Sequence, residues 1–157
     1  MKSFVKMICL SGVLTMLVFG SVAQAEIAPD FEELGKKDIS AIKRGLKYIV
    51  GTHNKTDGSF GSSRTKLAAT SLAGMALMSA GVTPNEGKYP KQLAGAVKFV
   101  LKCSAPSGYI SHAGSRMYTH GFASLFLAEV YGMCRKEKDN KRIRKALMFS
   151  MKLLAQS

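Results

Sequence analysis

No charge appears between Lys66 and Glu86, and this uncharged stretch follows the turn-forming run Asp57-Gly58-Ser59-Phe60-Gly61. Large apolar residues (Leu67, Leu72, Met75, Leu77, Met78) alternate with small ones (Ala68, Ala69, Ala73, Gly74, Ala76). A helix that is apolar all round must be covered all round. The stretch is too weakly hydrophobic for a membrane span, being rich in Ala, Ser, Thr and Gly. It therefore predicts a core helix over about 65–80, closed by Gly81 with Pro84 beyond.

The segments on either side read differently. Ahead of the turn, Ile42, Leu46, Ile49 and Val50 form one apolar stripe, while Lys43, Arg44 and Lys47 face the other way. That is an amphipathic helix with one wet side, capped by Asp38 or Ser40 and ended by Gly51 to His53. A third helix over about 91–103 repeats the first, with Leu93, Val97, Val100 and Leu101 against Lys91, Lys98 and Lys102. A fourth over about 117–133 repeats the second and carries Glu129 as its only charge. A fifth over about 140–155 is basic again.

The pattern recurs at an offset of 50 or 51 residues. Gly45-Leu46-Lys47-Tyr48-Ile49-Val50 matches Ala96-Val97-Lys98-Phe99-Val100-Leu101, and then Ala146-Leu147-Met148-Phe149-Ser150-Met151. Gly58 likewise matches Gly108. The expected fold is all-α: about two and a half helical hairpins, five helices in all, alternating basic outer and apolar inner elements. The repeats fall at about 39–88, 89–138 and an incomplete 139–157. Stacked hairpins of this kind make two layers, with the uncharged helices inside.

Residues 1–25 read as a secretory signal peptide: Lys2 and Lys6, an uncharged run from Met7 to Phe19, and Ala23-Gln24-Ala25 before the expected cleavage. The polar lead-in 26–37 and the helical domain 38–157 would form the exported chain, periplasmic or secreted, with no transmembrane span left. Cleavage removes two of the 23 Lys and Arg and none of the ten acids, so the formal charge becomes +11. Such a balance favours anionic partners, for an exported protein lipid head groups, cell-wall polymers or acidic glycans rather than nucleic acid; the plainer reading is a basic protein kept soluble by its charge. Cys103 and Cys134 are expected to stay unpaired: they end consecutive antiparallel helices, roughly 20 Å apart at 1.5 Å per residue, where a bridge needs about 7 Å.

These residues carry a family resemblance. Arg44-Gly45-Leu46-Lys47-Tyr48-Ile49, then His53 or Asn54, then Asp57-Gly58-Ser59-Phe60-Gly61, resembles the repeat of squalene cyclases and protein prenyltransferases. In that repeat a helix ends in Gln and is followed by Asp-Gly-Ser-Trp or Asp-Gly-Gly-Phe. Tyr118-Thr119-His120-Gly121 through Leu127-Ala128-Glu129-Val130-Tyr131-Gly132 is similar to exported bacterial proteins built from prenyltransferase and squalene-oxidase repeats. The resemblance covers about 39–157 and implies a partial α/α-toroid. It makes Asp57, Gly58, Phe60 and Gly108 structural residues that tie each helix end to the next turn. The sequence departs from the pattern where His53 or Asn54 replaces Gln, where Phe60 replaces Trp, and where Pro106-Ser107-Gly108 lacks the Asp.

The chemistry of the family is harder to place. Protonating a polyene needs an acid poised within an Asp-x-Asp-Asp cluster, and no such spacing occurs. A zinc-activated thiolate needs an Asp, Cys and His set; Cys103, His112, His120 and Cys134 match no such motif. No catalytic residue, metal site or cofactor is therefore assigned. Arg116, Tyr118 and His120, at the mouth of the fourth helix, are the candidate ligand-binding residues, because a helix N-terminus beside an Arg suits an anionic group. The competing reading makes Tyr118 and His120 buried rings that hydrogen-bond to a neighbouring turn.

Three functions follow as expectations. The first is a non-catalytic exported module that binds or assembles through its inner layer, with itself or with an apolar ligand. The second is an enzyme or enzyme fragment acting on an isoprenoid-like substrate, by analogy of fold. The third is a basic adaptor for anionic lipid or cell-wall polymer.

Overall fold

A computed structural model describes residues 35–62 and 65–156; residues 1–34, on which the expected signal peptide and most of the lead-in fall, and Ser63, Arg64 and Ser157 lie outside the described residues. Among the described residues the fold is all-helical, with five α-helices and no strand. They are α1 (Lys36–Gly51), α2 (Lys66–Ser79), α3 (Pro90–Lys102), α4 (Met117–Val130) and α5 (Glu137–Leu154). None is long and apolar enough to cross a membrane.

Local chemistry explains where they start. α1 begins earlier than the caps predicted. Gly35 is its N-cap, and Asp38 sits at the third helical position, where its carboxylate accepts the Gly35 N–H at 3.0 Å. Asp38 is thus the reciprocal half of a capping box rather than the cap itself. α5 also starts early, because Glu137 and Asp139 stabilise the positive end of the helix dipole. Pro90 opens α3 at a position whose N–H is unused in any helix.

The uncharged helices α2 and α4 pack against each other more extensively than any other pair. α3 lies across both, α5 on α4 and α1 on α2. Phe60, Leu67, Leu77, Leu93, Val100, Ile110, Phe126, Leu127 and Ile143 fill the space between these layers and are fully buried. Burying a side chain of that size stabilises the fold by roughly 1.5–3 kcal/mol. α1 contributes little to this core: it has no buried residue, and Tyr48 is 76% exposed.

One expectation fails here. α2 and α4 are not covered all round. Leu72 is 46% exposed, and Tyr118, Phe122 and Leu125 are exposed as well. α3 packs on both helices, α1 on α2 and α5 on α4, yet these neighbours leave Leu72 of α2 and Tyr118, Phe122 and Leu125 of α4 exposed. A stretch free of charge declares that it tolerates burial, and the number of neighbours decides whether burial happens.

Candidate functional site

Two turns, one between α1 and α2 and one between α3 and α4, gather most of the polar chemistry. In the first, the Asn54 N–H donates to Ser59 O (2.8 Å), and the Gly58 N–H to Asn54 O (2.9 Å). In the second, fifty residues on, the Ala105 N–H donates to Tyr109 O and the Gly108 N–H to Ala105 O, both at 3.0 Å. His53 and Phe60 pair as an isolated antiparallel bridge, and so do Ser104 and Ile110. Gly58 and Gly108 have φ of 79° and 91°. A Cβ on Gly58 would lie 2.6 Å from the Gly95 carbonyl oxygen of α3, and one on Gly108 would collide with the backbone of Phe149 in α5. Both positions need glycine for conformation and for space.

Each turn is then tied to the helix that follows it. The buried Phe60 N–H donates to Thr70 Oγ1 at 2.9 Å; the buried Ile110 N–H donates to His120 Nδ1 at 3.0 Å. Thr70 and His120 are fifty residues apart in the chain and do the same work. The sequence reading named His120 and missed Thr70, although the offset that matched Gly58 to Gly108 also pairs these two.

The three predicted ligand-binding residues are sent to different surroundings. His120 is fully buried. Its Nδ1 accepts a hydrogen bond, so its proton resides on Nε2, which has no hydrogen-bond partner. Burial pushes this imidazole below the ordinary histidine range; the backbone of Ser150 pulls the other way, at a geometry short of a hydrogen bond. Tyr118 is 58% exposed, contrary to the packing reading, and Arg116 is the exposed N-cap of α4 with no capping side-chain bond. Tyr109, not Tyr118, is the ring packed on His120, with centroids 5.3 Å apart. Behind His120 its carbonyl accepts from Ser124 Oγ, and Ser124 Oγ pairs with Ser150 Oγ of α5. Either serine can donate in that pair; if Ser124 gives its hydrogen to the His120 carbonyl, Ser150 donates. Both serines are buried, and neither was foreseen from sequence.

Asp57 is equally occupied. Its Oδ1 accepts from the Ser59 N–H (3.0 Å) and Oγ (2.6 Å), and its Oδ2 pairs with Lys66 Nζ at 3.2 Å. Burial works against its charge, but the Ser59 hydrogen bonds and Lys66 prevail and hold the carboxyl at about 2. A carboxyl so acidic is ionised at neutral pH and serves as an acceptor, not a proton donor. His53 packs its ring on Phe60; burial lowers its pKa, with Asp57 opposing and Lys55 adding to the shift.

Asp57 also lines a cleft of about 450 Å³ with Cys103 and His112. Cys103 Sγ lies 4.0 Å from His112 Nδ1. Burial pushes the Cys103 thiol up to about 11, with Lys102 pulling it down and Asp57 raising it. It stays protonated at neutral pH, and the thiol form is a poor nucleophile. Cys103 and Cys134 are both free. Among the described residues no three of His, Cys, Asp and Glu come together as a metal site.

Compared with family models, with curated proteins and with solved structures, the chain matches none.

Proposed function

We propose that this chain is an exported, non-catalytic assembly module of the prenyltransferase and squalene-cyclase repeat type, a partial α/α-toroid that associates with a second copy through α2 and α4. The reading rests on one observation: these two nearly uncharged helices leave Leu72 of α2 and Tyr118, Phe122 and Leu125 of α4 exposed, with Glu129 the one charge among the α4 residues. Large apolar side chains left exposed on neighbouring helices mark a candidate interaction site. The groups that could do chemistry are engaged elsewhere. His120 holds the Ile110 N–H, Asp57 holds Ser59 and Lys66, and Cys103 is a half-buried thiol raised to about 11. The matching turns at Gly58 and Gly108 support the repeat, and the resemblance of the residues around them supports the family.

Sedimentation of the chain over a range of concentrations tests the assembly. A concentration-dependent oligomer that Phe122→Lys with Leu125→Lys dissolves is the expected result; a monomer at every concentration defeats it. Turnover of squalene or of a prenyl diphosphate would defeat the non-catalytic reading.

A further inference from the structure

A different surface from the one just proposed, the outward side of α5, carries its own signal. The charges are segregated by layer. α1, α3 and α5 together hold fourteen Lys and Arg against three acids, Asp38, Glu137 and Asp139. α2 and α4 hold one Lys and one Glu. Among the described residues Arg142, with Asp139 at 4.0 Å, is the one cation of those fourteen in an ion pair. The other thirteen form no ion pair within 4.0 Å among the described residues, although Glu137 lines one pocket with Lys141 and Arg144 and lies on the same side of α5.

On α5 the charge is interleaved with exposed methionine. Lys141, Arg144, Lys145, Met148, Met151 and Lys152 fall within an arc of about 120° at 100° per residue. All six are exposed, Met148 at 65% and Met151 at 57%. The opposite arc carries the buried Ile143 and Ser150, so the helix is anchored by one side and offers the other whole. Lys98 and Lys102 of α3, which touches α5, are exposed too and add to the field.

We infer that this face of α5 docks on an anionic lipid bilayer. Lysine and arginine near such a surface are attracted by head-group charge. Long cationic side chains can lie along the interface with their ends at the phosphates while the apolar residues between them reach past the head groups. Met148 and Met151 stand where that contact would be made. A polyanion that remains in water, such as a wall polymer, would satisfy the lysines and gain nothing from two exposed thioethers; this is why the bilayer is the better fit.

The chain contains no tryptophan, so one introduced tryptophan reports on its own position. In the full chain, Met148→Trp is expected to show blue-shifted emission on vesicles of phosphatidylglycerol mixed with phosphatidylcholine, and quenching by lipids brominated on the acyl chain. Both signals should fade at high salt and be absent on phosphatidylcholine alone. Phe122→Trp, on the α2–α4 side, should show neither. Lys141→Gln, Arg144→Gln and Lys145→Gln together, in the Met148→Trp background, should weaken binding by about tenfold or more. The proposal is overturned if vesicles bind without quenching at position 148, since the leader or another face would then be responsible. It is overturned equally by the same response on neutral vesicles, or by binding to polyphosphate with no response to either vesicle.

Discussion

The two turns share a backbone and differ in almost every side chain. The first has His53, Asp57, Phe60 and Thr70; at the matching places the second has Ser104, Ser107, Ile110 and His120. Yet corresponding hydrogen bonds close both loops, the second one residue shorter, a glycine sits at positive φ against the next helix but one (α3 or α5), and a side chain of the helix that follows the turn accepts a buried N–H. Even the absent aspartate has a deputy. Ser107 Oγ accepts the Tyr109 N–H at 3.4 Å, where Asp57 Oδ1 accepts the Ser59 N–H at 3.0 Å. The comparison shows that the glycine and the buried acceptor are what the turn requires, and that the acid is reinforcement added to one copy.

Substituting the glycines asks this most directly. Gly58→Ala and Gly108→Ala are each expected to cost about 3 kcal/mol or more in urea unfolding, from backbone strain plus collision with the next helix but one. A near-neutral Gly108→Ala would break the equivalence of the turns. Removing the acceptors comes next. His120→Leu should cost about 3 kcal/mol and Thr70→Val about 2 kcal/mol, because each orphans a buried backbone N–H; an unchanged urea midpoint for either would show that the tie is dispensable.

The asymmetry should appear in the smaller effects. Asp57→Ala is expected to cost about 1–2 kcal/mol at pH 7, and Ser107→Ala about 0.5 kcal/mol or less. The Asp57 contribution has a definite acid window. Its folded pKa of about 2 lies below the ordinary 3.8. Stability from it is therefore complete above about pH 4 and lost as pH falls through 2, so the parent and Asp57→Ala should converge there. The two histidines act at higher pH. His53 and His120 are both held below 6.5 by burial, so the unfolded chain binds more protons as pH drops under that value. The urea midpoint should decline from pH 7 to pH 5, and less in His120→Leu than in the parent.

Much of the fold was legible because its signals are local. The freedom from charge after Lys66, the apolar stripe of α1 and α3, and the fifty-residue offset of Gly58 and Gly108 each follow from spacing along the chain. The tie from Thr70 to Phe60 was readable by that offset but carries no composition signal of its own. Asn85, an ordinary loop residue by sequence, bridges two connections: its Nδ2 donates to Met133 O at 2.7 Å, and its Oδ1 accepts the Arg135 N–H. Nothing in its neighbours announces a partner about fifty residues away. Arg116, Tyr118 and His120 lie in different surroundings for a related reason. Adjacency in a helix sends successive residues in different directions, so one entered the core and two stayed in water.

The order of residues alone determined that the described chain would be helical, which helices would be wet on one side, and which glycines would end them, since periodicity and capping act within a few residues. Only the tertiary structure decided that α2 and α4 keep large apolar residues exposed, that Tyr109 rather than Tyr118 covers His120, and that Met148 and Met151 stand in water among lysines. Burial depends on which elements arrive from elsewhere in the chain, and no local pattern contains that information.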